Sequence, residues 1–170
     1  MALIALFTAG LCAIAPFSIA VGPIPLTFAT LMIYLTAGTL QWKYSLLSVV
    51  LYVTLGAIGM PVFTNFEGGF HKIAGITGGF IIGYIPCAFA MGIFVEMFGK
   101  KFWSYILGMV IGTALLYTCG TAWFIIRTGN PIALSLGLCV TPFLIGDSIK
   151  IILASIIAPQ LQNALARGYK

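Results

Sequence analysis

Residues 141–162 read TPFLIGDSIKIILASIIAPQLQ. The stretch matches the roughly 20 apolar residues that an α-helix needs to cross a hydrocarbon core. It carries two charges, Asp147 and Lys150. A charged group at the centre of a membrane helix costs about 2.5–3.5 kcal/mol even on lenient scales, so such groups face a protein interior or a wet cavity. Their i, i+3 spacing puts them on one helical face, a turn apart. The residues alone leave two readings open. One is a structural ion pair that locks the helix into a bundle. The other is a polar end wall for a small solute that has hydrogen-bond donors and a negative group.

The rest of the chain has the same character. Its 170 residues are 61% hydrophobic and 6% charged, with a mean hydropathy of +1.14. Soluble domains hold about 25% charged residues, so a water-facing globule is excluded. The apolar runs are too continuous for the alternation of a transmembrane barrel. Hydropathy predicts six spans, at about 2–20, 24–41, 44–60, 77–98, 103–126 and 141–162. The expected fold is an all-α integral membrane protein, with residues 1–170 forming a single domain of six transmembrane helices and no room for a soluble catalytic domain. Gly22-Pro23 with Pro25, Gln41-Trp42-Lys43 and Gly59-Met60-Pro61 punctuate the first half. The first segment lacks a basic leader region and a clear cleavage site, and reads as a true span.

Orientation follows the distribution of Lys and Arg. Lys43, Lys100, Lys101, Arg167 and Lys170 fall on one side, Lys72 and Arg127 on the other. This predicts cytoplasmic N- and C-termini, with the long connections 61–76 and 127–140 outside. No internal repeat supports an inverted-repeat transporter built from one chain.

Other classes find no footing. No basic cluster interleaved with aromatics points to nucleic acid. Cys12, Cys87, Cys119 and Cys139 form no CxxC pair, and one histidine, His71, gives no metal ligand set. No Ser/His/Asp set, paired carboxylates or nucleotide motif is present, so neither an enzyme nor a self-powered pump is expected. Energy for uphill transport would come from another subunit.

Weaker signals remain. Ala5, Ala9 and Ala13 form an i, i+4, i+8 stripe that suits close helix contact, either inside the bundle or with another membrane subunit. Gly75-Ile76-Thr77-Gly78-Gly79 stands where the long connection re-enters the membrane and permits close approach of a helix or a ligand. Phe63, Tyr117, Trp123 and Phe124 are candidates for an apolar pocket wall.

Taken in order, the local motifs resemble the BioY family, the biotin-specific substrate-binding (S) components of energy-coupling factor (ECF) vitamin transporters. The resemblance rests on Gly22-Pro23-Ile24-Pro25-Leu26-Thr27, Leu55-Gly56-Ala57-Ile58-Gly59-Met60-Pro61-Val62-Phe63 and Gly75-Ile76-Thr77-Gly78-Gly79-Phe80. It continues through Gly120-Thr121-Ala122-Trp123 and Pro142-Phe143-Leu144-Ile145-Gly146-Asp147-Ser148-Ile149-Lys150, and spans nearly the whole chain. Ile76 and Ile145 stand where the family commonly has Pro. Ala29 stands where it commonly has Gln, so the second helix is not nominated for ligand hydrogen bonds.

The resemblance implies an ECF S-component fold in a prokaryotic cell membrane, with biotin held near the outer face and carried inward when the loaded subunit topples. It implies a transmembrane coupling protein and two ABC-type ATPases as partners, with no cofactor and no metal in this chain. It turns the Ala5/Ala9/Ala13 stripe toward docking on the coupling protein. Asp147 and Lys150 match the acidic and basic residues of the family's last-helix motif, and Asn65 a polar position in the outer loop. Thr77, Gly78, Phe63 and Trp123 complete the expected site. The competing expectations are an S component for another vitamin, a membrane-embedded enzyme using Asp147 and Lys150, and a purely structural membrane subunit.

Overall fold

A computed structural model describes residues 1–19, 24–99 and 101–168, with side chains described as far as residue 165. Gly22, Pro23, Lys100, Lys170 and the side chain of Arg167, all used in the sequence reading, lie outside the described residues.

Among the described residues, six apolar helices carry the fold. Three are long and apolar enough to cross a membrane: α5 (Gly78–Phe98), α6 (Phe102–Thr128) and α8 (Phe143–Gly168). Three are shorter: α1 (Ala2–Ile14), α2 (Ala29–Thr39) and α3 (Trp42–Ala57). Two short helices, α4 (Phe70–Ala74) and α7 (Ile132–Cys139), sit in the long connections.

The main departures from the predicted spans lie in the first third. α1 stops at Ile14 rather than near residue 20, and α2 starts at Ala29 rather than 24. Between them β1 (Ser18–Ile19) pairs antiparallel with β2 (Leu26–Thr27), Ser18 opposite Thr27 and Ile19 opposite Leu26. Prolines explain the shift. Pro16 has no N–H to continue the α1 ladder, and Pro25 biases Ile24 away from helical backbone. The connection 61–76 is not structureless either: Thr64–Phe66 make a 3-10 turn before α4, and Glu67 pairs with Lys72 at 2.7 Å.

α5 and α6 share the most extensive seam, α3 lies on α5, α1 lies on α3, and α2 fills the space between α5 and α8. Glycines let the α5–α6 backbones come close: a Cβ on Gly79 would run into Trp123, and one on Gly120 into the Phe80 ring. Tyr34, Tyr52 and Tyr105 are fully buried in the core. Each hydroxyl has a partner, as buried phenols require. Tyr34 meets Thr113 Oγ1 at 2.5 Å, Tyr52 donates to the Val62 carbonyl at 3.2 Å, and Tyr105 donates to Gln162 Oε1 at 2.9 Å.

α8 shows the inverted polarity expected of a lipid-facing helix. Ile145, Ile149, Ile152 and Ile156 are exposed along one face, while Asp147, Lys150, Ala154 and Ala158 are buried on the opposite one. In water so continuous an apolar surface would drive association. Against lipid it is the satisfied arrangement, and the polar groups are turned inward.

Candidate functional site

Asp147 and Lys150 are the only buried charged side chains among the described residues, at 4% and 7% exposure. Their burial is tolerated because every strong donor and most acceptor sites are used. Lys150 Nζ donates to Asp147 Oδ1 at 2.9 Å, to the Thr27 carbonyl at 2.8 Å and to Thr30 Oγ1 at 2.9 Å. Those three contacts match the three N–H donors of an ammonium group. Asp147 Oδ1 also accepts from the Thr30 hydroxyl at 3.3 Å, and Oδ2 accepts from the Tyr117 hydroxyl at 2.6 Å. A carboxylate offers about four acceptor positions. Three are occupied here, so one position on Oδ2 is free.

That unit lines an open cavity whose empty space, counted out to its mouth, is about 500 Å³. Leu26, Phe80, Ile81, Leu116 and Phe143 give it apolar walls, while Thr27, Thr30, Tyr84 and Tyr117 bring hydroxyls. Tyr84 and Thr27 hydroxyls lie 3.5 Å apart, a long contact in which either is the donor. The arrangement suits a solute that is mostly apolar, with a compact hydrogen-bonding head. Among the described residues no three His, Cys, Asp or Glu side chains converge, and all four cysteines are free thiols.

The sequence-derived residues separate into two groups. Asp147, Lys150 and Thr77 line the cavity. Phe63 is buried instead beneath Gly56 and edge-on to Tyr52. Gly78 permits α5 to start against the Ile73 backbone, where any Cβ would collide. Trp123 donates its indole N–H to the Gly75 carbonyl at 2.9 Å and so holds the glycine-rich turn onto α6. Asn65, at a left-handed φ of 61°, accepts from the Ser18 hydroxyl at 3.0 Å and ties the 3-10 turn to the β1 segment. These four are not among the residues lining the cavity. Phe124, another wall candidate, packs with Ile24, Cys139 and Phe143 in a separate cluster.

Three contributors escaped the sequence reading. Thr27 ends β2 and Thr30 lies in the first turn of α2, a segment not nominated by sequence on account of Ala29, yet they hold the lysine. Tyr117 is by sequence a candidate for the apolar wall, yet its hydroxyl binds Asp147. Its signal was present: a tyrosine in mid-span must find a partner for its O–H.

Ala5, Ala9 and Ala13 lie on the exposed face of α1 and line a shallow apolar groove with Leu51, Leu55 and Met60 of the neighbouring α3 region. The stripe is therefore not spent on packing inside this chain.

Comparison with known proteins gives a consistent result. The family model described as the BioY family matches residues 1–167. The protein named biotin transporter BioY from Thermotoga maritima is 36% identical over 159 residues, 93% of this chain and 92% of that protein. A probable biotin transporter BioY from Pyrococcus horikoshii is 36% identical over 163 residues, 96% of each. The crystal structure of the S-component for biotin from an ECF-type ABC transporter superposes with a TM-score of 0.89 and 26% identity, covering 95% of this chain and 89% of that one.

Proposed function

The chain belongs to the BioY family, and on that premise we propose that it captures biotin and serves as the S component of an ATP-driven ECF transporter. Its work is transport, with the chemistry of ATP hydrolysis left to separate subunits. The observation that supports the reading is the buried Asp147–Lys150 unit in a cavity that combines apolar walls with a few hydroxyls. Biotin has a compact polar ureido head and an aliphatic arm, which match the polar end and the apolar walls. The free position on Asp147 Oδ2 accepts one ureido N–H. Lys150 acts through Asp147, since its three N–H donors are already engaged. Thr77 also lines the cavity, while Asn65, Gly78, Phe63 and Trp123 shape the loops and helix starts around the site.

Thr64 and Thr77, which flank the connection bearing Lys72, line the cavity, so the site lies at the end of the bundle that the charge distribution assigns to the outside. Both termini are then cytoplasmic. Delivery requires the loaded subunit to reorient, and toppling against a coupling protein driven by two ABC-type ATPases provides that step. The exposed Ala5/Ala9/Ala13 groove suits such docking.

Calorimetric titration of the detergent-purified chain tests the proposal. Biotin is expected to bind tightly and one-to-one, with riboflavin and thiamine giving no heat. A folded, ligand-free sample that ignores biotin would overturn it. A second expectation concerns the groove. Ala9→Leu leaves biotin affinity of the solitary subunit unchanged but lowers vitamin uptake by cells carrying the full transporter, because the bulkier side chain separates the docked helices. Unimpaired uptake would remove the docking assignment.

A further inference from the structure

The Tyr117 hydroxyl and Asp147 Oδ2 stand 2.6 Å apart at the polar end of the cavity, and both residues line it. Resting on the biotin reading above, we propose that Tyr117 reads the ligand directly, as the donor to its carbonyl, and thereby selects a cyclic urea or lactam edge. In the ligand-free state the hydroxyl has one proton, and it is given to Asp147. That contact caps the carboxylate oxygen that still has a free acceptor position. A cyclic urea presents an N–H and a C=O side by side on one edge, with nitrogen and oxygen a little over 2 Å apart, as bonds of about 1.33 and 1.23 Å dictate. Oδ2 and the phenol oxygen, 2.6 Å apart, set an acceptor beside a donor at a slightly wider spacing. When the ligand enters, its N–H takes the position on Oδ2 and the Tyr117 O–H turns to the ligand carbonyl. One hydrogen bond is exchanged for two, and no proton leaves either partner.

The other polar groups of the site do not offer this edge. Lys150 has no N–H to spare. Thr30 donates to Oδ1, on the far side of the carboxylate from Tyr117, at the longer distance of 3.3 Å. Tyr84 pairs with Thr27 rather than with Asp147. A donor beside an acceptor is also the more selective device. With a ligand that keeps the ring but lacks a good acceptor, the Tyr117 hydroxyl stays on Asp147 and the contact to the ligand is lost.

The test compares biotin with 2′-thiobiotin, whose thiocarbonyl is a poor acceptor, on purified full-length wild type, Tyr117→Phe and Thr30→Val. Wild type is expected to prefer biotin. Tyr117→Phe should lower biotin affinity about tenfold, the value of a hydrogen bond near 1.4 kcal/mol, and thiobiotin affinity far less, so that the preference collapses. Thr30→Val should lower both ligands by a common factor. An unchanged preference in Tyr117→Phe would mean that the tyrosine only positions Asp147 and would overturn the proposal, as would a collapse found in Thr30→Val instead. Should Tyr117→Phe fail to fold, 3,5-difluorotyrosine at position 117 keeps the ring and makes the phenol a stronger donor. The preference for biotin must then increase, and a decrease or no change sinks the proposal. Failure of the wild type to bind biotin at all is a different result, and counts against the biotin reading itself.

Discussion

Asp147→Asn is expected to weaken biotin binding by roughly 10- to 150-fold and to lower the thermal stability of the ligand-free protein. The binding term follows from the acceptor lost. A hydrogen bond to a charged group contributes about 1.5–3 kcal/mol, and each 1.4 kcal/mol is about tenfold in affinity. The amide of Asn also turns an N–H toward a position where the ureido group brings its own N–H. The stability term has a separate origin. Asn cannot balance the ammonium of Lys150, which sits 2.9 Å away at 7% exposure, and breaking a buried pair on one side costs about 3–5 kcal/mol. Titration calorimetry on folded variant protein measures the first effect, and a melting curve without ligand measures the second. Affinity within about threefold of wild type would remove Asp147 from the binding site.

The two effects come from residues that differed in how readable they were. Asp147 and Lys150 stand out in the sequence because charge is rare in an apolar run, and α8 puts them on one buried face as their spacing requires. The long helices were legible for the same reason, and α5, α6 and α8 lie within a few residues of their predicted ends except at the C-terminus of α8. The hairpin between α1 and α2 was not. Its residues are as apolar as the helices they join, and hydropathy does not distinguish an extended apolar segment from a helical one. Pro16 and Pro25 were the available signal. The partners of the pair were hidden by distance along the chain: Thr27 and Thr30 are 123 and 120 residues from Lys150, and Tyr117 is 30 from Asp147. Spacing rules speak only within one element, so a site assembled from β2, α2, α6 and α8 becomes visible when those elements are packed together. Phe63 and Trp123 illustrate the reverse. Their aromatic character suited a pocket wall, and the fold uses one under Gly56 and the other as a clamp on Gly75.

Lys150→Met is expected to destabilise the protein by about 3–5 kcal/mol, and Asp147→Leu combined with Lys150→Met to regain most of that loss without regaining biotin binding. The single variant strands a carboxylate at 4% exposure with only the Thr30 and Tyr117 hydroxyls for partners. It also removes a donor from the Thr27 carbonyl. An uncompensated buried charge is the expensive state, whereas an apolar pair of similar volume in place of both ions is often neutral or stabilising. The double variant therefore separates the two roles that the sequence left open. If the pair served only to lock α8 into the bundle, melting temperature and function would recover together, since a Leu and a Met fill the same space. If the pair is the polar end of a binding site, stability returns and ligand binding does not, because the cavity keeps its apolar walls and loses its acceptor. Melting curves and biotin titrations on the wild type, the single variant and the double variant decide between them. Recovered biotin affinity in the double variant is the outcome that would return Asp147 and Lys150 to a purely structural role.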